Sequence, residues 1–85
     1  MRPSLTTTCV VDVNGREVHL SVRHEAVDVW RWEVLYGDDL TLEQGMMTTR
    51  IAAQVAAQRA FEYRLRRAGS YPRGFTGYRW KDLVG

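Results

Sequence analysis

The dipeptide Asn14-Gly15 is the feature that most constrains what this chain can fold into. It lies between two runs of alternating apolar and polar residues, and both of its positions favour the positive φ that a two-residue hairpin turn requires. The sequence therefore predicts antiparallel strands at about residues 5–13 and 16–24. Because a two-residue loop fixes the register, the cross-strand pairs separate into a mostly apolar face and a mostly polar face. The polar face is expected to be open to water.

Two further strands are predicted after this hairpin. Residues 29–36 alternate in character, with Trp30 and Trp32 on the side assigned to the core. Residues 40–46 form a weaker fourth strand. An early start of the following helix is the alternative there, and Gly45 argues against it because glycine disfavours a helix.

A long helix is predicted over residues 49–68. Thr48 or Thr49 can cap its N-terminus, and the stretch that follows contains six alanines and neither proline nor glycine before Gly69. Its larger apolar residues spread around the helix and do not form one narrow stripe, which indicates a second packing partner. That partner is either the C-terminal tail or another subunit. The residues that spread in this way are Ile51, Val55, Phe61, Tyr63 and Leu65.

Together these elements predict an α+β fold. A three- to four-stranded antiparallel β-meander is covered on one face by a single long C-terminal α-helix. Residues 1–69 form one α+β domain, since a chain of 85 residues supports one domain. Residues 70–85 form an irregular tail in which basic and aromatic residues alternate.

The charges divide sharply along the chain. Residues 1–45 hold four arginines against eight carboxylates, a net charge of −4, and residues 46–85 hold eight cations against two carboxylates, a net charge of +6. Such an asymmetry indicates either a basic surface for an anionic partner or two halves that attract each other, within one chain or between subunits. The charge counts favour the second interpretation slightly.

No motif for catalysis, cofactor binding or metal binding is present, and the chain is predicted not to be an enzyme. Cys9 is the only thiol, and the hairpin register places it on the core side and His19 on the wet side, so they form no catalytic dyad. His24 and Asp28 amount to two loose ligands, fewer than a metal site needs. A single cysteine fits a reducing compartment, and no signal peptide or membrane span is visible, so a cytoplasmic location is expected. Neither a membrane nor a small molecule is implied.

The basic and aromatic residues of the second half support two hypotheses. Arginine near a helix C-terminus is favoured by the helix dipole in any protein, but such side chains can also neutralise phosphates. Aromatic rings of the tail can stack on single-stranded bases, with Trp80 or Tyr78 in that role. The candidate phosphate contacts are Arg59, Arg64, Arg66, Arg67, Arg73, Arg79 and Lys81.

Part of the chain resembles small, uncharacterised domains of bacterial and phage genomes, in which a β-meander is closed by an alanine-rich helix. The resemblance rests on Trp30-Arg31-Trp32-Glu33-Val34, on Gly37 and on the stretch from Thr48 to Ala57, and it covers about half the chain without carrying over a functional residue. The order of strands and helix is also similar to plant AP2 domains and to the N-terminal DNA-binding domains of phage integrases, which read DNA with the sheet. Because the sheet half is acidic here, that role is not carried over.

The first hypothesis from the sequence is a non-enzymatic protein-protein interaction domain, a homo-oligomer or an adaptor. One form of it is a phage- or mobile-element-encoded inhibitor of a host protein. A nucleic-acid-binding module that uses the basic helix end and the tail is the alternative, and a small enzyme without a recognisable motif comes last. Aromatic residues and arginine dominate interface energetics. The candidate interface residues are therefore Phe61, Tyr63, Leu65, Tyr71, Phe75, Tyr78 and Trp80.

Overall fold

The computed structural model describes residues 5–37, 40–69 and 77–84. It confirms the α+β class: one helix packs on an antiparallel sheet, and the sheet has five strands. β1 (Leu5–Val13) and β2 (Arg16–Ala26) form the predicted opening hairpin, with β2 two residues longer than the sequence predicts.

The Asn14-Gly15 turn has the geometry expected of it. The φ angle is 54° at Asn14 and 84° at Gly15, and the strands pair in the register that a two-residue loop imposes. Asp12 and Glu17 face each other across the strands, which brings two like charges together. Asp12 Oδ1 accepts a hydrogen bond from the Gly15 backbone N–H at 2.8 Å, and Glu17 Oε2 lies 3.2 Å from His19 Nε2. Each carboxylate therefore has its own partner, which explains how the two like charges are tolerated opposite each other.

β3 (Val29–Tyr36) and β4 (Leu40–Met47) continue the meander, so the fourth strand is confirmed and the early helix start is wrong. Gly45 pairs with Trp32 across these two strands. A Cβ atom on Gly45 would lie 2.7 Å from atoms of the Trp32 indole ring, well inside the optimal separation of two carbon atoms. Glycine is therefore needed here because the indole ring occupies the space of its missing side chain.

The helix α1 (Arg50–Ala68) has defined ends. Thr49 is the N-cap, and its hydroxyl accepts a hydrogen bond from the backbone N–H of Ala52 at 3.1 Å. Gly69 ends the helix in the left-handed conformation, with a φ angle of 66°. The two predicted caps are thus confirmed, and the helix occupies the residues that the alanine-rich pattern predicts.

The core lies between α1 and the sheet, with the helix over β2, β3 and β4. One residue in every fourth position of the helix is buried: Ala53, Ala57, Phe61 and Leu65. The small alanine side chains let the helix lie close to the sheet, and each large buried side chain contributes about 1.5–3 kcal/mol by leaving water. The sheet residues in the same buried cluster are Cys9, Val11, Val18, Leu20 and Val34.

β5 (Lys81–Val84) is a strand that the sequence analysis did not predict. It pairs antiparallel with β1, which gives the strand order β4-β3-β2-β1-β5. An ion pair between Arg50 at the start of α1 and Asp82 joins this strand to the helix. The last part of the predicted irregular tail therefore belongs to the domain, whereas residues 70–76 lie outside the described residues.

Candidate interaction surfaces

The residues predicted to contact a partner are distributed between the core and the surface. Phe61 and Leu65 are buried beneath α1, so their side chains cannot reach a partner while the domain is folded. Tyr63, between them in sequence, is 58% exposed. Tyr71 and Phe75 lie outside the described residues. Of these five candidates, Tyr63 is placed where a partner can contact it.

The tail residues Tyr78 and Trp80 pack against the core beside α1. Trp80 Nε1 donates a hydrogen bond to Gln58 Oε1 at 2.9 Å, and the Tyr78 hydroxyl donates to the Gln58 carbonyl oxygen at 3.4 Å. The Tyr78 ring meets Phe61 edge to face, with 6.3 Å between ring centroids. One of the two packing partners expected for the helix is therefore the tail of the same chain. Gln58, which anchors it, had no sequence signal, because a glutamine in a helix is ordinarily a solvated residue.

A second apolar side of α1 stays exposed. Ile51 is 72% exposed, and Val55, one turn further along the helix, is also exposed. Tyr63, about two turns beyond Val55, is exposed as well, but it lies about 80° further round the helix, towards β4. The described part of the tail, residues 77–84, contacts the helix near Gln58 and Phe61, and these three side chains are exposed.

The two edge strands of the sheet differ in length and in side chains. β5 has four residues, of which Lys81 and Asp82 are charged. β4 has eight residues and one charged side chain, Glu43. We use the term β4 edge for the outer side of this strand with its exposed apolar side chains, which are Leu40, Met46 and Met47. Natural sheets commonly protect an edge by shortness and charge, whereas β4 is twice as long as β5 and has a single charge.

Arginines surround Tyr63 on the exposed part of α1. Arg67 donates a hydrogen bond to the Tyr63 hydroxyl at 3.3 Å, and its guanidinium carbon lies 5.7 Å from the centroid of the tyrosine ring. Arg59 and Arg66 flank the same ring together with Glu62. We call Arg59, Arg66 and Arg67 the helix arginine cluster.

Arg64 is turned towards the sheet and is already paired. It donates a hydrogen bond to the Leu42 carbonyl oxygen at 2.6 Å and lies 3.4 Å from Glu43 Oε2. Among the described residues this is the ion pair that joins the acidic half of the chain to the basic half. The attraction between the halves that the charge counts predict is thus present within one copy, though through a single contact in the described ranges.

The remaining candidate phosphate contacts point elsewhere. Tyr78 and Trp80 face the core, so the alternation of an extended chain turns Arg79 and Lys81 towards the opposite face of the sheet. Arg73 lies outside the described residues. The predicted basic surface is therefore divided between the two sides of the domain, and the helix arginine cluster is its largest continuous part among the described residues.

The open face of the sheet carries a network of opposite charges. Arg23 and Arg31 face each other across β2 and β3. Glu25 Oε1 lies 3.1 Å from Arg23 Nη2 and 3.0 Å from Arg31 Nε, and Glu33 Oε1 lies 3.7 Å from Arg23 Nη2. The two arginines and two glutamates of this network compensate each other.

The cysteine and the histidines do not form a reactive site. Cys9 is buried, and burial raises the pKa of its thiol, although a hydrogen bond from the Arg79 backbone N–H lowers it in part. His19 pairs with Glu17, and His24 stacks on Trp30 with 4.3 Å between ring centroids. In residues 5–37, 40–69 and 77–84, no three histidine, cysteine or carboxylate groups come together as metal ligands.

An open groove of about 640 Å³ lies between the end of α1 and the end of the sheet that carries the hairpin turn. The described residues that line it are mostly apolar, among them Val13, Tyr36 and Leu65. Arg16 donates a hydrogen bond to the Tyr36 hydroxyl. This bond and the Coulomb interaction of Arg16 with Tyr36 both raise the pKa of Arg16. These lining residues include no carboxylate, cysteine or histidine, so they offer a contact surface and not an acid-base pair.

Among the described residues, no helix combines the length and the apolar character needed to cross a membrane. Comparisons of the chain with protein-family models, with curated proteins and with solved structures find no match. The case for a function therefore rests on the geometry of the domain.

Proposed function

We propose that this chain is a non-enzymatic protein-interaction domain that associates with copies of itself. The observation that carries the proposal is the apolar surface that a single copy leaves uncovered. It includes Leu40, Met46 and Met47 on β4 and Ile51, Val55 and Tyr63 on α1, while three other exposed apolar residues, Val10, Val27 and Leu83, lie elsewhere. An apolar surface of this kind on a small soluble domain is typical of an interface with another protein.

The size of the domain supports the same proposal. A chain of 85 residues buries only about 60–65% of its unfolded surface, so its core alone provides a modest free energy of folding. Association with a second copy removes further apolar surface from water and adds to that free energy. The helix arginine cluster and the carboxylates of the first half also provide opposite charges that can meet across an interface between copies.

Self-association is tested by the mass of the protein in solution. Light scattering and sedimentation over a concentration series from low micromolar to millimolar should show the mean mass rising from that of one chain to that of two. A dimer that dissociates on dilution supports the proposal. A mass that stays at one chain over the whole series contradicts it.

The lone thiol is consistent with a cytoplasmic location, which we include in the proposal. Cys9 is buried and cannot form a disulfide within the chain, so the fold gains nothing from an oxidising compartment. Expression as a fusion with a fluorescent protein, followed by fractionation, tests this part. Recovery in a membrane or periplasmic fraction would contradict it.

Nucleic-acid binding is the second candidate, and the helix arginine cluster is the observation that favours it. Arg67 lies against the exposed Tyr63 ring, and Arg59 and Arg66 line the hollow beside it, so phosphate contacts and base stacking could occur on one surface. The anisotropy of a labelled single-stranded oligonucleotide at low salt measures this binding. The double variant R66Q/R67Q should lower the affinity and the salt dependence, whereas R23Q on the compensated sheet face should not. Unchanged anisotropy with the wild-type protein excludes this candidate.

A further inference from the structure

We infer that the self-association proposed above occurs through the β4 edge, which pairs antiparallel with β4 of a second copy. This inference rests on the proposed function and assigns its interface. β4 is at one end of the sheet, and in the described part of the chain no strand pairs with its outer side. An unpaired strand edge presents a row of backbone N–H and C=O groups, and the occupant that satisfies them is another extended strand.

The other end of the sheet is a weaker candidate. β5 is half as long as β4, and Lys81 and Asp82 lie side by side in it. Charged side chains on a short edge discourage pairing with another chain. β4 offers eight residues in which Glu43 is the one formal charge, and that carboxylate already lies 3.4 Å from Arg64 of its own helix.

A bulge in β4 determines how two copies would align. Val34 pairs with Glu43 and Leu35 pairs with Thr41, so Leu42 is an extra residue in the ladder. With Leu42 set aside, the other seven residues of β4 alternate regularly between the helix side and the open side of the sheet. The centre of these seven positions is Gln44.

A two-fold axis at Gln44 makes the strand complementary to itself. Each copy's Gln44 then faces the partner's Gln44, and the other opposed pairs are Glu43 with Gly45, Thr41 with Met46 and Leu40 with Met47. Both members of each pair lie on the same side of the sheet, as an antiparallel ladder requires. No two like charges are opposed, and the exposed apolar side chains at the two ends of the strand meet across the interface.

The helix side of the same edge adds to this interface. Tyr63, Arg64 and Arg67 line a hollow of about 350 Å³ above Glu43. In a dimer with a continuous sheet, the hollows of the two copies lie on the same face, on either side of the two-fold axis. The exposed Tyr63 ring then gains a neighbour that it lacks in a single copy. A second copy thus covers the β4 edge and part of the exposed side of α1 together.

A pair of charge substitutions tests both the edge and the register. Met46→Glu should weaken dimerisation by roughly tenfold or more, because it replaces an apolar side chain of the pairing edge with a charged one, which pairs with Arg31 of its own chain and not with the partner. Adding Thr41→Lys should restore part of the affinity, since each lysine then faces a partner glutamate. Val10→Glu is the matched control: Val10 is 51% exposed, close to the 55% of Met46, but lies on β1, three strands away from β4. Circular dichroism and thermal unfolding of each variant are the control for its folding.

Cross-linking at the two-fold axis gives a second readout. Opposed residues of an antiparallel pair have Cα atoms about 4.5–5.5 Å apart, which lies within the range of about 4.4–6.8 Å that a disulfide spans. Gln44→Cys should therefore form a disulfide-linked dimer under mild oxidation. Val10→Cys, exposed on the same side of the sheet but three strands away from β4, should not.

The outcomes separate this inference from the proposed function. Weaker dimerisation of M46E, its recovery in T41K/M46E and selective cross-linking of Q44C support pairing through β4. A dimer that withstands M46E, with no more cross-linking of Q44C than of V10C, overturns the β4 edge and leaves self-association through another surface. A wild-type chain that stays monomeric at millimolar concentration overturns self-association itself, and the β4 inference with it.

Discussion

The two ends of the sheet are held in place by different means. β4 is fixed by its neighbour in the sequence: it follows β3 through a short connection, and its Gly45 fits beneath the ring of Trp32. β5 is separated from its partner β1 by most of the chain. Side chains that meet the helix hold it there, through Trp80 on Gln58 and Asp82 on Arg50.

This difference shows how one small domain can have one closed edge and one open edge. The β5 end is short, charged and tied to the helix, so little of it remains for a partner. The β4 end is stabilised from the inside, where β3 and Arg64 contact it, and its outer side carries apolar residues. We therefore expect substitutions at the β5 end to change the stability of one copy, and those on the outside of β4 to change its association.

The largest effect on stability is expected from filling the space at Gly45. Gly45→Val should lower the free energy of unfolding by about 3 kcal/mol, because the new side chain overlaps the Trp32 ring and forces the two strands apart. Urea unfolding monitored by far-UV circular dichroism measures it. Gln44→Val, the adjacent position on the open side, should stay within about 0.5 kcal/mol of wild type.

The overlap between a side chain at position 45 and the Trp32 ring can also be relieved by changing Trp32. In a Trp32→Leu background, Gly45→Val should be less harmful than in the wild type, since the ring that it overlaps is gone. Equal destabilisation by Gly45→Val in both backgrounds would show that backbone conformation, and not the indole ring, requires glycine at this position.

At the opposite end, removing the tail anchor should have the next largest effect. Trp80→Ala deletes a half-buried ring and its hydrogen bond to Gln58, and it should cost about 2 kcal/mol, less than the truncation of a fully buried aromatic residue. Hydrogen exchange should increase in β5 more than in β3. The neighbouring exposed substitution Arg79→Ala should change neither quantity appreciably. If Trp80→Ala leaves β5 protected, then the backbone ladder with β1 is sufficient to hold this strand.

The same contrast explains how far the sequence could predict the structure. The turn at Asn14-Gly15, the alternation of β3 and the caps of α1 are local features, and the structure confirms them. β5 could not be found in this way, because four residues carry no period and their pairing partner is remote. What fixes β5 is contact between side chains that the sequence does not place together.

The candidate interface was predicted less well than the fold. Phe61 and Leu65 were proposed for a partner, yet they lie in the core with Ala53 and Ala57 at a regular spacing of four residues. That spacing was visible in the sequence. The large apolar residues alone do not reveal it, because alanine forms half of the buried side of this helix. Tyr63, which falls outside the four-residue series, is exposed.

A substitution in the short connection between β4 and α1 should have a moderate effect on the free energy of unfolding. Thr49→Ala removes the hydroxyl that caps the helix and should cost about 1 kcal/mol. Thr48→Ala is the matched control, because Thr48 is also exposed but is not the capping residue, and it should change stability by about 0.3 kcal/mol or less. Chemical unfolding of both variants under the same conditions tests this prediction. Equal losses in the two variants would mean that the connection contributes through its chain conformation and not through the cap.

The smallest effect is expected at the ion pair that joins α1 to β5. Arg50 and Asp82 are both partly exposed, so their attraction is screened by solvent and should contribute about 0.5 kcal/mol. Arg50→Gln should therefore lower stability slightly at low ionic strength, and the difference from wild type should disappear at about 1 M salt. Arg59→Gln controls for the loss of a helix arginine, because no carboxylate in the described ranges pairs with Arg59. A loss in Arg50→Gln that persists at high salt would show that the arginine holds β5 by packing, since salt does not weaken the contacts of its aliphatic stem.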